Sequence, residues 1–376
     1  MKRLIFFLLF VANLTGSYAQ TLTGKLQQQL DSLVNAKGKA FIKDSLRVGL
    51  SIGIVQNGFR TMYHFGSISR QENNLPTNST LYEIGSITKT FTGILLAQAV
   101  KDRKVKLDDD IRLYLTGSYP NLEYKGQPIR LYHLLNHMSR LPFFLPDNPN
   151  LFKSNPDSLP FIIYRIQEHY TREHFFKDLH KVSIDTVPGY KFSYSNAGAQ
   201  LLGYILESVY KTSYANLIKQ YITKPLKMSS TALTYETKEL REIAKGYNGK
   251  GLLMPYNPLI IGPAGGLYSN IPDMLKYISF HFNENNPIVA LSHKTTYGNT
   301  NTFAIGLNWQ INKTNDGYRR IFQSGGSFGF SSYLALFPEL NIGIILLTNE
   351  ADQTAQPALG NLCQEILEYL KKNIKK

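Results

Sequence analysis

β-patterned sequence occurs in two blocks, one near each end of this chain, and the long stretch between them is patterned for helices. That distribution leaves few folds open. The first block is residues 48–55, then Gln56-Asn57-Gly58, then residues 59–66. An Asn-Gly pair between two β-rich runs is a strong hairpin signal, because both residues tolerate the positive φ that a two-residue hairpin turn requires. The second block holds residues 304–311, 318–322, 331–337 and 342–348, joined by turns at Asn315-Asp316-Gly317 and at residues 338–341. From about Asp108 to Tyr247, apolar residues follow helical spacing, broken by Pro- and Gly-containing loops at 145–149 and 186–189. The expected fold class is therefore α+β: one antiparallel sheet built from N- and C-terminal strands, flanked by helices, with an inserted, mostly helical domain. Residues 20–107 and 248–376 would form the sheet domain and residues 108–247 the helical one. An amphipathic segment from Leu22 to about Leu46, and a closing helix over about 357–374, would flank the sheet.

The N-terminus reads as an address. Met1-Lys2-Arg3 precedes an apolar run from Leu4 to Leu14, and Ser17-Tyr18-Ala19 offers small residues where signal peptidase reads. Residues 1–19 are expected to be a secretory signal, so the protein would be exported, periplasmic or secreted; the alternative is a signal anchor retained uncleaved. No later stretch approaches the roughly 20 apolar residues a spanning helix needs, so no integral membrane segment is expected after signal removal. No cysteine follows the run to carry a lipid. Cys363 is the only cysteine, which excludes an internal disulfide framework; among Leu362, Ile366, Leu367 and Leu370 it reads as a buried small hydrophobe. The formal charge of +14, or +12 without Lys2 and Arg3, would draw the protein to anionic surfaces. Apart from the tail at 371–376, basic residues are dispersed and form no arginine-rich stripe, which argues against nucleic acid.

Three short stretches have chemical potential. In Gly85-Ser86-Ile87-Thr88-Lys89, a serine followed three residues later by a lysine puts a hydroxyl and an amine on one side of a helix's first turn. That pairs a nucleophile with a base, although Ser86 as a cap and Lys89 as a solvated residue would give the same letters. In Tyr194-Ser195-Asn196, a locally extended backbone would present a phenol and an amide to one cleft; alternatively Tyr194 packs and Asn196 caps the following helix. Gln323-Ser324-Gly325-Gly326 leaves a strand and becomes glycine-rich, so its backbone could approach a substrate closely and supply an oxyanion donor, or merely bend a hairpin.

Taken in order, Ser-x-x-Lys, Tyr-x-Asn and a late polar-hydroxyl-glycine triplet resemble the serine β-lactamase and penicillin-binding protein superfamily. The chain looks most like its class C β-lactamase-related branch, which includes D-alanyl-D-alanine carboxypeptidases and esterases. Residues 131–142, 263–269 with Asp273, and 329–338 are further stretches similar to that branch. The resemblance implies Ser86 as the acylated nucleophile, Lys89 as a buried base with depressed pKa, and Tyr194 sharing proton transfer. It also implies Asn196 holding the substrate amide, and an oxyanion hole from the N–H groups of Ser86 and Gly326. The substrate would be a cell-wall peptide or a small ester or amide, with no metal and no cofactor.

One position departs from that pattern. The third motif usually opens with Lys or His, and here the residue is Gln323. A unit charge about 5 Å away at an effective dielectric near 20 is worth roughly 3 kcal/mol. Ser324 and Gly325 keep the motif's hydroxyl and backbone, so acylation should survive while recognition of a penicillin or D-Ala carboxylate weakens. Arg319 and Arg320, on the same strand, are candidates to compensate. Three functions follow: a DD-carboxypeptidase or endopeptidase with weak or absent β-lactamase activity, an esterase or amidase on a substrate lacking a carboxylate, or a wall-binding protein without turnover. Elsewhere, His169, His174 and His180 are spaced five and six apart, unsuited to one helical face, and Asp108-Asp109-Asp110 reads as a solvated helix start. His137 reads as structural.

Overall fold

The computed structural model describes residues 11–155, 157–235 and 242–374. Of the expected signal, residues 1–10 lie outside the described residues, and residues 11–19 begin a helix, α1 (Val11–Ile42), that continues past Leu22 without a break. The central sheet has eight strands: β1 (Gly49–Gln56), β2 (Phe59–Gly66), β3 (Tyr297–Asn299), β4 (Phe303–Ile305), β5 (Gln310–Lys313), β6 (Arg319–Gly326), β7 (Ser331–Phe337) and β8 (Ile342–Thr348). Their spatial order is 2-1-8-7-6-5-4-3, every pair antiparallel. The N-terminal hairpin joins the C-terminal strands through β1 and β8, with Leu50 opposite Thr348 and Gln56 opposite Ile342. The fold is thus the α+β arrangement anticipated from the strand pattern.

Both faces of the sheet centre are covered, which is why β1, β7 and β8 read as near-continuous apolar runs. Leu50, Ile52, Ile54, Ile342, Ile344 and Leu346 pack on one side against Leu30 and Val34 of α1 and against α10 (Ala355–Ile374), where Cys363 is buried. Val55, Ile345 and Leu347 face the other side, toward α2 (Thr88–Lys101) and α8 (Ile271–His281). The helices α3 (Leu159–Gln167), α4 (Arg172–Leu179), α5 (Asn196–Tyr210), α6 (Tyr214–Ile218), α7 (Gly262–Gly265) and α9 (Pro287–His293) lie on that second side of the sheet or between its strands in sequence.

Two strand boundaries differ from expectation. Residues 304–311 form two strands, β4 and β5, because the chain turns at Gly306–Trp309: the Gly306 N–H bonds Trp309 O at 2.9 Å and Asn308 takes φ 66°. The turn lets Leu307 and Trp309 both bury completely. Conversely, β6 does not stop at Phe322 but runs on to Gly326. The basic tail is also less free than its composition suggests, since Lys371 is buried and paired with Asp316 at 2.6 Å and Glu368 at 2.9 Å; Lys375 and Lys376 lie outside the described residues.

A buried ionic clamp fastens the start of β1 to the chain leaving β8. Arg47, with a side chain 3% exposed, reaches Asp352 at 2.9 Å, Glu350 at 3.4 Å and Thr354 Oγ1 at 2.7 Å. Burial pushes the Glu350 carboxyl up to about 7, against the lowering effects of the Thr348 hydroxyl and Arg47. Removing the guanidinium strands two carboxyls, so Arg47→Ala should cost about 3–5 kcal/mol in chemical denaturation. A carboxyl whose pKa is raised by folding stabilises below its unfolded pKa and loses that contribution as pH rises. The Arg47→Ala deficit should therefore be larger at pH 8 than at pH 5; an equal deficit at both would contradict this account.

Candidate active site

Tyr82-Glu83 pairs antiparallel with Tyr268-Ser269, and a single 3-10 turn, Gly85–Ile87, then leads into α2. Two glycines let this turn press against the end of β6. Gly85 has φ 52°, and a Cβ there would stand 2.7 Å from both N and O of Gly326. At Gly325 a Cβ would lie 2.1 Å from Ile84 O. Any side chain at either position would force apart the nucleophile's turn and the strand that faces it. Ser332 Oγ donates to Ile84 O at 2.9 Å and fastens the same contact from β7.

Lys89 lies one turn into the helix after Ser86 and is fully buried. Its Nζ is 2.9 Å from Ser86 Oγ and 2.5 Å from Ala264 O on α7. Burial depresses the Lys89 pKa, and the adjacent Tyr194 phenol only partly opposes the fall. Tyr194 OH donates to Ser86 Oγ at 2.6 Å, and the Lys89 Nζ sits 5.0 Å from the Tyr194 ring centroid. Ser86, Lys89 and Tyr194, separated by up to 108 positions in sequence, thus meet at one oxygen.

Tyr194 is held by its surroundings. The His137 ring lies 4.1 Å from its ring at a 31° tilt, and Phe143 flanks it at 5.8 Å. The Ser193 N–H donates to His137 O at 2.8 Å and the Ser195 N–H to His137 Nδ1 at 3.3 Å. Burial and the nearby Lys89 charge push the His137 imidazole down to about 3, so it stays neutral; Asn308 is close enough to oppose that fall, yet its amide makes no hydrogen bond of good geometry. Ser195, not Asn196, caps α5: its Oγ accepts from Gly198 N at 2.9 Å and donates to Pro142 O at 2.7 Å. Asn196 sits buried in the first turn.

On β6, side chains alternate: Ile321, Gln323 and Gly325 share one face, Arg320, Phe322 and Ser324 the other. The β5 pairing ends with Gln310 opposite Phe322, so, among the described residues, 323–326 have no strand partner on that side and present an edge toward Gly85. Gln323 is 3% exposed and accepts from Gln310 Nε2 at 2.8 Å. Among the described residues, no hydrogen bond joins Asn196, Gln323 or Ser324 to Ser86, Lys89 or Tyr194. Neither neighbouring arginine takes the place of the missing cation. Arg319 pairs with Glu284 at 2.5 Å and Glu339 at 3.2 Å, while Arg320 bonds Asn312 Oδ1 at 2.9 Å and stacks 4.5 Å over Phe322. Among the described residues no three His, Cys, Asp or Glu side chains gather as metal ligands would.

Sequence reasoning missed Ala264 O, Gln310 and Glu83, and left His137 without a site. Backbone acceptors and cross-strand partners have no residue-type signature. His137 lies in the 131–142 stretch that resembles the family, yet nothing local tied it to Tyr194.

Comparison with known proteins bears on the fold and the family. The chain is 27% identical to Protein flp of Staphylococcus aureus (strain MRSA252) over 361 residues, covering 93% of this chain and 68% of that one. It is 25% identical over 393 residues to the D-alanyl-D-alanine-carboxypeptidase/endopeptidase AmpH of Escherichia coli (strain K12), covering 99% of this chain and 98% of that one. The fold matches a crystal structure of a beta-lactamase/D-alanine carboxypeptidase from Yersinia pestis complexed with citrate, with a TM-score of 0.77 at 24% identity, over 92% of this chain and 99% of that one. The Beta-lactamase family model matches residues 31–362, and with that span the chain belongs to the beta-lactamase family of serine hydrolases.

Proposed function

We propose that this protein is an exported hydrolase that forms an acyl-enzyme on Ser86 and cleaves D-alanyl-D-alanine-type cell-wall peptides, as a carboxypeptidase or endopeptidase. The carrying observation is the convergence of Lys89 and Tyr194 on Ser86 Oγ, at 2.9 and 2.6 Å. Burial lowers the Lys89 pKa and so favours the neutral amine, whose lone pair would take the Ser86 proton as Oγ bonds to the scissile carbonyl carbon. The developing oxyanion would lie between the N–H of Ser86 and that of Gly326, which the Gly85 contact brings alongside. As the carbon–nitrogen bond breaks, the proton passes to the leaving amine through Lys89 or Tyr194, and water then releases the acyl group. The D-alanyl-D-alanine-carboxypeptidase/endopeptidase AmpH, 25% identical to this chain, supports the peptide substrate. The N-terminal signal pattern supports export; among the described residues, no helix is long and apolar enough to cross a membrane. The net positive charge favours anionic wall or membrane surfaces as its setting.

A second reading rests on Gln323. With that side chain neutral and held by Gln310, esters or amides without a carboxylate become competing substrates. Incubation of the mature protein and Ser86→Ala with a labelled penicillin, read by intact mass, tests the chemistry. Assays with a p-nitrophenyl ester and a D-Ala-D-Ala peptide then test the substrate. The expected result is a Ser86-dependent adduct and release of D-Ala. Ester turnover without D-Ala release would favour the second reading, and no adduct with no turnover of either would leave a wall-binding protein.

A further inference from the structure

Glu83, three residues before the nucleophile, is 1% exposed and has no part in the acylation chemistry above. Its Oε1 accepts from the Asn257 N–H at 2.5 Å and from Tyr268 OH at 3.2 Å. Asn257 in turn donates its Nδ2 to Gly265 O at 3.1 Å, and the neighbouring Ala264 O is the acceptor that holds Lys89 Nζ. On its other side the carboxyl meets Ser327, the residue after Gly326. Glu83 Oε2 and Ser327 Oγ are both buried and lack a partner of good geometry, yet they lie close enough for the hydroxyl to lower the carboxyl's pKa. The carboxyl, on the segment that carries Ser86, therefore touches two others that adjoin the site: 257–265, which holds Lys89, and the Gly326–Ser327 end of β6.

We infer that Glu83 is a positioning residue for acylation, whose carboxyl ties the Ser86 turn both to the 257–265 segment that holds Lys89 and to the Gly326–Ser327 end of β6. The inference rests on the acyl-enzyme reading of Ser86. In its neutral form the carboxyl can donate Oε2–H to Ser327 Oγ while Oε1 keeps both its donors. In its ionised form it places a negative charge at the end of the strand whose N–H would meet the oxyanion. The titratable groups facing it are Tyr268, on the strand paired with Tyr82-Glu83, and Tyr256, on the loop before α7; Ser327 and the Asn257 peptide complete its surroundings, and among the described residues no cation contributes. Burial pushes this carboxyl up to about 7, so the neutral and ionised forms exchange near neutral pH.

The test compares wild type, Glu83→Gln and Glu83→Leu. Glutamine keeps the Oε1 acceptor and offers a permanent donor to Ser327, so kcat on a p-nitrophenyl ester should stay within about threefold of wild type, while leucine should lower it on the order of 30- to 100-fold with KM little changed. The wild-type kcat should fall as pH rises through the neutral range, and Glu83→Gln should lack that fall. Hydrogen exchange at 257–265 and 326–328 should quicken in Glu83→Leu and not in Glu83→Gln. If Glu83→Leu does not fold, Ser327→Ala serves, with faster exchange confined to 326–328. Unchanged kcat and exchange in Glu83→Leu, or matching pH profiles for wild type and Glu83→Gln, would overturn the inference. Should wild type turn over no substrate, the acyl-enzyme reading fails, and the exchange measurement alone still decides whether Glu83 joins the three segments.

Discussion

Replacing Lys89 with methionine should lower kcat/KM for any substrate that acylates Ser86 on the order of 10²- to 10⁴-fold, the usual range for a positioned general base. Methionine is close in volume and suits a fully buried position, so the loss should appear without large destabilisation. The amine meets Ser86 Oγ at 2.9 Å, and its depressed pKa frees a lone pair below the ordinary lysine range. Because the base is the unprotonated form, Lys89 should give wild-type acylation a limb that rises with pH and levels off below the ordinary lysine range, with the Glu83-dependent fall superimposed on it, so that in Glu83→Gln the rising limb stands alone. Lys89→Met should lose that limb. Stopped-flow acylation across pH measures both, and a variant that keeps the rising limb would assign the base to Tyr194 instead.

Gln323→Lys should raise acylation by a penicillin or a D-Ala-D-Ala peptide, with little gain for a neutral ester. A charge about 5 Å from a substrate carboxylate at an effective dielectric near 20 contributes roughly 3 kcal/mol, an upper bound near 100-fold. Burial of Gln323 and loss of its bond from Gln310 work against part of that gain, so a rise of about 10- to 100-fold is expected. The structure sharpens the prediction, because the two arginines that could have supplied the charge are committed to Glu284, Glu339 and Asn312. kcat/KM for the three substrates measures the effect. Equal acceleration of the neutral ester would mean that the lysine acts on the Ser86 chemistry rather than on carboxylate binding.

Much of the framework was legible because it is written in local chemistry. The Asn57-Gly58 hairpin and the near-continuous apolar runs of β1, β7 and β8 follow from residue type and spacing, so the two strand blocks and the α+β class could be read in advance. Ser86 and Lys89 were legible for the same reason, since three residues along a helix fix which side chains can meet. The split of residues 304–311 into two strands was not, because a Gly-Leu-Asn turn costs little locally and is chosen by what Leu307 and Trp309 gain on burial.

What the sequence alone determined is the pairing of hydroxyl and amine at Ser86-x-x-Lys89 and the neutral amide at Gln323. Only the tertiary structure decided that Tyr194, 108 residues away, completes the hydrogen bonds to Ser86, that Ala264 O holds the amine, and that Gln323 is tied to Gln310. It also decided that Arg319 and Arg320 are spent elsewhere. The physical reason is range. Backbone geometry fixes contacts a few residues apart, whereas burial, and with it the pKa of Lys89 and the partners of Gln323, depends on which distant segments the packed core brings together.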